Sequence, residues 1–390
     1  MTRFVYIASS LLMVIALSSC QTIQFNRPTF TSDQDWLVDG YSQNRSRSVS
    51  EGFTLPLTQV WEYNAAAGFG PGSPLVLDKV VLVSTRKGEI HSIELETGRK
   101  RGFRSFGDGI EGAPAIQNGH MFVASALGKR ILSSFNLKTG GYAWRNKGVP
   151  IESGIVVSDG LIVAADVFGG IKAYDTKTGA EVWSVTIGER VSVQSALLLT
   201  DSTSVFVADD SGVASLLSLE DGTVKWQTKL DGPVYEGSSA LGSLVVVPTT
   251  RGSFHVLDRK SGNVQWSFTT ESDVVRFGAT SISEDLIVVG ASDETVRAFD
   301  PETGELKWET HFPDVVSAAP LITQSHIFVG TLGQQLFALN RVSGEIEWET
   351  EMRGRIKSAM SLVGGGLLVL SEPRYVTYFK PEGGRSNASN

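Results

Sequence analysis

The feature that most constrains this chain is a unit of about 41 residues that recurs along most of its length. Seven tryptophans mark the unit, and the first and last are 287 residues apart, which makes seven intervals of 41 residues with one tryptophan missing near Gly102 and Phe103. These tryptophans are Trp61, Trp144, Trp183, Trp226, Trp266, Trp308 and Trp348. Periods of this length are typical of repeat architectures in which each unit packs on its neighbours. We therefore expect one repeat array rather than two or three separate domains.

Glycines show the same period independently. Eight of them recur at spacings of 39 to 43 residues, and six stand four residues before a tryptophan. They are Gly98, Gly140, Gly179, Gly222, Gly262, Gly304, Gly344 and Gly384. Four residues before most of these glycines lies a side chain that can cap a turn, such as Asp175 or Asp300. Each unit is therefore predicted to contain a tight turn followed by a strand that carries the tryptophan.

Alternating apolar residues around Asn118-Gly119 indicate β-hairpins between these turns, and helical periodicity is absent from the sequence. Four strands in about 41 residues match a propeller blade. The sequence thus predicts an all-β fold, an eight-bladed β-propeller of four-stranded antiparallel blades, over residues 53–384. The strand at 58–64 has no unit before it, and the last unit, 358–380, lacks a following tryptophan strand. We expect these N- and C-terminal strands to pair and close the ring.

The N-terminal region has a different composition from the repeats. Residues 1–19 combine one positive charge with fourteen mostly apolar residues, which is typical of a signal peptide and too short for a membrane span. Cys20 follows Leu17-Ser18-Ser19. Residues 20–52 are mostly polar and lack apolar periodicity, so we expect a lipidated cysteine followed by a flexible tether. Residues 385–390 are expected to be a disordered tail.

Charge and cysteine content exclude several classes of function. A formal net charge of −8 gives no basic face for nucleic acid. A single cysteine excludes an internal disulfide, a Cys-rich zinc site and a haem motif. The five histidines have no metal-binding spacing, so neither a metal nor a cofactor is expected. One basic cluster, residues 99–104, is either a partner or lipid contact or a solvated outer strand.

The repeat itself resembles a known family. One copy of the pattern consists of Ile171-Lys172-Ala173-Tyr174-Asp175 followed by Thr178-Gly179 and Trp183, and a second copy extends from Val296 to Trp308. This pattern is similar to the pyrroloquinoline-quinone-like (PQQ-like) repeat, and the similarity covers residues 58–384. Behind a lipobox-like cysteine, such a propeller resembles the BamB family of outer-membrane assembly lipoproteins. The resemblance implies acylation of Cys20, anchoring in the outer membrane with the propeller in the periplasm, and a non-enzymatic scaffold role. Its implied partners are POTRA domains of the barrel-forming subunit and unfolded barrel precursors.

The same resemblance implies a place for the partner contact. That family uses an apolar, arginine-containing loop between the third and fourth repeats, where this chain has Arg190, Val191 and Val193. These residues are therefore the candidate partner-binding residues. The alternative is that these residues form an ordinary strand that enters a blade, since such a strand also has alternating apolar and polar side chains. The acidic loop expected after the next tryptophan strand is reduced here to residues 230–234.

Two other classes of function remain open from the sequence. A PQQ-dependent quinoprotein dehydrogenase would share the repeat and bind the quinone with calcium. Many such enzymes resemble one another in a pair of adjacent cysteines, which this chain lacks. A propeller that binds glycans or peptides in an axial funnel would be favoured by aromatic residues such as Phe69 and Tyr235 at that funnel.

Overall fold

A computed structural model describes residues 23, 25, 35–52, 54–107, 109–158, 160–188, 191–195 and 197–383. The predicted signal peptide, Cys20 and the tail 385–390 lie outside the described residues. Within the described ranges the chain forms 32 β-strands. None of the described segments is a helix long and apolar enough to cross a membrane.

The strands form eight four-stranded antiparallel sheets, the blades, whose first strands adjoin one another at the centre. Blade 1 contains β2 (Leu75–Leu77), β3 (Val80–Ser84), β4 (Glu89–Glu94) and β5 (Lys100–Ser105). Blade 2 contains β6 (Ala115–Gln117), β7 (His120–Ala124), β8 (Arg130–Asn136) and β9 (Gly141–Lys147). Blade 3 contains β10 (Val156–Ser158), β11 (Leu161–Ala165), β12 (Gly170–Asp175) and β13 (Glu181–Thr186). Blade 4 contains β14 (Leu198–Asp201), β15 (Ser204–Ala208), β16 (Val213–Ser218) and β17 (Val224–Lys229).

The second half of the ring repeats this order. Blade 5 contains β18 (Ser239–Leu241), β19 (Leu244–Pro248), β20 (Ser253–Asp258) and β21 (Val264–Thr269). Blade 6 contains β22 (Ser281–Ile282), β23 (Ile287–Gly290), β24 (Thr295–Phe299) and β25 (Leu306–His311). Blade 7 contains β26 (Leu321–Ile322), β27 (His326–Gly330), β28 (Gln335–Asn340) and β29 (Ile346–Glu351). Blade 8 contains β30 (Ser361–Val363), β31 (Gly366–Ser371), β32 (Tyr375–Pro381) and β1 (Leu57–Asn64).

The ring closes as predicted. Strand β1 pairs antiparallel with β32, and Trp61 lies opposite Tyr378 in that pairing. The N-terminal strand therefore supplies the outer strand of the last blade, so that both ends of the repeat region are joined in one sheet. The predicted eight-bladed propeller of four-stranded antiparallel blades is confirmed.

The tryptophans and the turn glycines form one contact between neighbouring blades. Trp308 in blade 6 is buried, and its Nε1 donates a hydrogen bond to the carbonyl oxygen of Arg341 in the turn of blade 7, at 3.2 Å. Gly344 in that turn has a φ of +74°, and a Cβ placed there would lie 2.6 Å from the Trp308 ring. The glycine thus provides both the left-handed backbone and the space that the indole fills. Equivalent pairs join Trp61 to Gly98 and Trp183 to Gly222.

Blade 1 replaces its missing tryptophan with an arginine. The register places Gly102 opposite Ser92, the position that corresponds to the tryptophan in the other blades. Arg104, two residues later, donates from Nη1 to the carbonyl oxygen of Gly140 in blade 2, at 2.8 Å. Its guanidinium also lies 4.8 Å from the centres of the Phe135 and Tyr142 rings, a cation–π arrangement. Arg104 from the predicted basic cluster therefore has a structural role between blades 1 and 2.

Residues 36–51, here called the central segment, pass through the middle of the ring. The segment's backbone carbonyls accept hydrogen bonds of 2.8 to 3.0 Å from amides of the inner strands of six blades. The donors are Val76, Ile116, Leu199, Ala240, Ile282 and Ile322. Trp36 is fully buried, and Val49 is nearly so. The prediction of a flexible tether is therefore wrong for residues 36–51, because backbone bonding to the free strand edges orders this segment despite its polar composition.

The central segment carries three buried charges. Asp39 forms an ion pair with Arg45, and Arg47 donates from Nη1 to the carbonyl oxygen of Thr280 at 2.6 Å. Burial alone would raise the pKa of Asp39, but Arg45, Arg47 and hydrogen bonds from Ser73 outweigh burial and hold that pKa below its usual value. Burial lowers the pKa of Arg47 to about 10, although Asp39 offsets part of that effect. The charges therefore stabilise the segment only as a group.

Replacing Trp308 with alanine should destabilise the propeller by about 3 to 5 kcal/mol, because it removes a buried indole and leaves a void between blades 6 and 7. Leu306→Ala is the control, since Leu306 lies on the same strand with 44% of its surface exposed. Chemical denaturation measures both free energies of unfolding. Similar free energies for Trp308→Ala and wild type would contradict the interblade role of the indole.

Replacing Arg45 with methionine should cost about 3 to 5 kcal/mol, because Asp39 would keep a buried charge without its nearest partner. In the wild type, the stability that the lowered pKa of Asp39 contributes is complete above the usual aspartate pKa of about 3.9 and is lost as pH falls through the folded value. Without Arg45 the folded pKa of Asp39 rises, so acid destabilisation should begin at higher pH. Melting temperatures measured from pH 3 to 8, with Ser50→Ala as an exposed control, test this. Superimposable profiles would contradict it.

Candidate binding funnel

The two ends of the ring differ in shape. One end, here called the funnel face, carries the loops that join each outer strand to the next inner strand and the turns between second and third strands. The other end, here called the turn face, carries the remaining turns of each blade. A concave funnel of about 800 Å³ opens at the centre of the funnel face, lined by residues that include Phe69, Leu127 and Tyr235. The lining of the funnel mixes apolar and charged side chains.

The central segment forms the floor of the funnel. A smaller cavity of about 60 Å³ lies beneath it, and Asp39 and Arg47 of the segment line this cavity together with Glu236. The surrounding protein raises the pKa of the Glu236 carboxyl by displacing water, and the charge of Arg47 offsets part of that rise. The funnel is thus a cup with a charged base, because the segment occupies the axial space below it.

Four of the large apolar side chains that are exposed in the described part of the chain lie on the funnel face, whereas seven others lie on the outer strands of the blades. Phe168 and Val274 have 71% and 76% of their surfaces exposed, and Leu127 and Tyr235 have 60% and 42%. All four lie on funnel-face loops between blade 2 and blade 6. Single exposed apolar residues are common on proteins, but several of them on neighbouring loops of one face are typical of a binding surface.

Charges on the funnel face separate into two sectors. In the described part of the chain, the funnel-face loops of blades 3 to 6, here called the acidic sector, carry ten carboxylates and two arginines. The carboxylates belong to Glu152, Asp166, Asp209, Asp210, Asp231, Glu236, Glu271, Asp273, Asp293 and Glu294, and the arginines are Arg251 and Arg276. The funnel-face loops of blades 8 and 1 (65–74, 85–88, 352–360 and 372–374), here called the basic sector, carry six cations and one carboxylate. The sectors lie on opposite sides of the ring.

The structure places the predicted contact residues mostly in the interior. Val193 is fully buried in a core cluster with residues of blades 3 and 4, and Val191 is 8% exposed and lies against Gly169. Arg190 lies outside the described residues. The two valines therefore hold the loop between blades 3 and 4 against the core and offer little surface to a partner.

The aromatic residues expected at the funnel are both there, but only one is accessible. Phe69 lines the funnel with 2% of its surface exposed, whereas Tyr235 is 42% exposed. The sequence analysis missed Phe168 and Val274 as candidate binding residues. Neither stands in a motif, and only their position on neighbouring loops of the ring distinguishes them from ordinary turn residues.

The His, Arg and Asp side chains near the turns between second and third strands form ion pairs or hydrogen bonds with residues close to them. His255 Nε2 lies 3.0 Å from an Asp231 carboxylate oxygen, and Arg297 Nη2 lies 2.8 Å from one of Asp293. Asp209 is buried and accepts hydrogen bonds from backbone amides of its own turn. Across the described ranges, no group of three or more His, Cys, Asp or Glu residues is arranged to hold a metal ion. These contacts stabilise turns and blades.

Solved structures with the same architecture come from two kinds of protein. The crystal structure of BamB from Moraxella catarrhalis matches with a TM-score of 0.69 and 19% sequence identity, over 83% of this chain and all of that chain. Quinohemoprotein alcohol dehydrogenase from Comamonas testosteroni matches with a TM-score of 0.75 and 15% identity, over 90% of this chain and 81% of that chain. At such low identities both likenesses establish the fold alone.

Sequence relatives and a family model agree on one family. A Yersinia pestis outer membrane protein assembly factor BamB is 27% identical over 168 residues, 40% of this chain and 43% of the relative. The protein of the same name from Burkholderia pseudomallei is 23% identical over 282 residues, 65% of this chain and 69% of the relative. The model described as outer membrane protein assembly factor BamB matches residues 58–168, 128–273, 167–315 and 292–386, nearly the whole propeller. The chain therefore belongs to the family of the outer membrane protein assembly factor BamB.

Proposed function

We propose that this chain is a non-catalytic lipoprotein scaffold of the outer membrane that assists the assembly of β-barrel proteins. The observation that carries the proposal is the group of exposed apolar side chains on the funnel face, in a chain whose family is named for outer-membrane protein assembly. The partner is the barrel-forming assembly subunit, through its POTRA domains, and unfolded barrel precursors are a second class of partner. The propeller faces the periplasm.

The funnel face suits protein binding. Protein interfaces have apolar anchors near their centre and polar residues around them. Phe168, Tyr235 and Val274 supply such anchors, and the carboxylates of the acidic sector surround them. The rigid ring beneath holds these loops at fixed spacing, so a partner meets a preformed surface.

Arg190 stays part of the proposed contact. Its loop joins blades 3 and 4, between the turn that carries Phe168 and the loop that carries Tyr235. Since Val191 and Val193 point into the core, we assign them the positioning of that loop and keep Arg190 as the contacting side chain.

The lipid anchor at Cys20 is supported by the path of the residues that follow it. Ile23 and Phe25 are buried, and the Phe25 amide donates to the carbonyl oxygen of Leu137, at 2.8 Å, on the turn face of blade 2. Since these residues lie close to Cys20 in the sequence, we infer that the proposed anchor lies near the turn face. The funnel face would then point away from the membrane and remain open to periplasmic partners.

Replacing Phe168 and Val274 together with glutamate should abolish co-purification with the barrel-forming assembly subunit, because the change puts two charges among the proposed apolar anchors. Val342→Glu is the matched control, since Val342 is 85% exposed but lies in a turn on the opposite face. Pull-down from detergent-solubilised membranes reads the association, and melting temperature confirms folding. Undiminished co-purification by the folded double variant would contradict this surface.

Replacing Cys20 with serine should release the protein from the membrane fraction, because the acyl chains require the cysteine sulfur and several chains are needed for stable anchoring. Mass spectrometry of the wild-type N-terminal peptide should show cleavage before Cys20 and the added lipid mass. A serine variant that stays in the membrane fraction, or a wild-type Cys20 without lipid, would count against the anchor.

A further inference from the structure

The basic sector surrounds a single, nearly buried carboxylate. Glu372 lies in the turn between β31 and β32, and its side chain is 11% exposed. Arg86 Nη1 lies 3.2 Å from Glu372 Oε1, while Arg355 Nη2 and Lys357 Nζ lie 3.4 Å and 3.7 Å from Oε2. Three cations from two different loops thus converge on one anion at the rim of the funnel.

The remaining cations increase this excess of positive charge. The guanidinium groups of Arg353 and Arg374 lie 5.5 Å and 5.9 Å from the centre of the Tyr375 ring, and Lys87 follows Arg86 in the same turn. Some of these cations pair with carboxylates on the blades, as Arg353 does with Glu62 at 3.2 Å. Even so, the loops that form the sector hold six cations to one carboxylate, in a chain with a net charge of −8.

The cations stay accessible to a ligand despite their contact with Glu372. The side chains of Arg86, Arg355 and Lys357 are 47%, 55% and 40% exposed. Glu372 therefore draws the three cations together from below. Arg86 also pairs through Nε with Glu111 Oε2 at 2.9 Å, yet each of the three cations keeps at least 40% of its side chain exposed. Such an arrangement favours carboxylates presented from outside, since several cations at short spacing act on the same ligand.

The location of the sector decides between classes of ligand. Both an acidic protein segment and an anionic lipid surface present negative charges. The sector lies on the funnel face, whereas Phe25 and Trp36 hold the N-terminal part of the chain at the turn face and the inner strands. A membrane that holds the N-terminal end would thus meet the opposite side of the ring. The geometry favours a protein segment.

We propose that the basic sector is a second docking site, which binds an acidic segment of a partner protein while the apolar anchors across the funnel bind elsewhere on the assembly. The inference rests on the proposed scaffold function and deepens it, because it gives the funnel face two sites of opposite charge. The acidic sector repels such a segment from the other side of the ring, so the charge pattern also fixes the orientation of the bound partner.

A fluorescein-labelled peptide of ten glutamates, titrated with the mature full-length protein, tests the site by fluorescence anisotropy. We expect binding to the wild type that weakens as salt is raised, because exposed charges are screened. Replacing Arg355 and Lys357 together with glutamine should weaken binding by about tenfold or more. The control, Lys177→Gln with Lys260→Gln, removes two exposed cations from the turn face and should bind like the wild type.

Several results would overturn the proposal. They are no binding of the peptide by folded wild type, equal losses in the test and control variants, or binding of phosphatidylglycerol vesicles that needs Arg355 and Lys357 while the peptide does not bind. The Phe168→Glu, Val274→Glu variant separates this proposal from the scaffold function. It should retain peptide binding, and loss of peptide binding in that variant, when folded, would also overturn the assignment to the basic sector.

Discussion

The structure depends on the contact between a tryptophan of one blade and a glycine turn of the next. Trp308 fills the space that Gly344 leaves, and its indole nitrogen bonds the backbone of the same turn. A four-stranded sheet alone cannot bury both of its faces, so each blade is stable only between two neighbours. Because β1 and β32 pair and close the ring, the first and last blades each have two neighbours, whereas in an open array each would have one.

The central segment turns this ring into a cup. Its carbonyls accept hydrogen bonds from the inner strands of six blades, and its Asp39 and Arg47 form the charged base of the funnel. Because that segment fills the axis, a partner meets the loops of the funnel face and the cup between them. The charges of those loops differ from one side of the ring to the other. The two sides of the funnel face are therefore chemically different, although the blades have nearly the same fold.

The period of 41 residues was sufficient to predict the fold, the number of blades and the closure, because turn glycines and tryptophans are local signals that every blade repeats. The central segment could not be found in this way. Backbone hydrogen bonds hold this segment in place, and such bonds can form with almost any side-chain composition, so the sequence does not indicate them. Val191 and Val193 were candidate contact residues only through the family resemblance, and burial, which the resemblance does not indicate, leaves them little exposed surface. The sequence alone could not indicate that Phe168, Val274 and the two charged sectors belong to one surface. They lie on loops that are distant in the sequence, and only the closed ring brings these loops onto one face.

We propose that the funnel face binds the assembly partner. Hydrogen–deuterium exchange of the mature protein, alone and with the purified barrel-forming subunit, measures this most directly, because it reports protection loop by loop. We expect slower exchange in funnel-face loops such as 148–155, 230–238 and 270–280, with unchanged exchange in the turns of the opposite face. Protection confined to the turn face, or none at saturating partner, would contradict it.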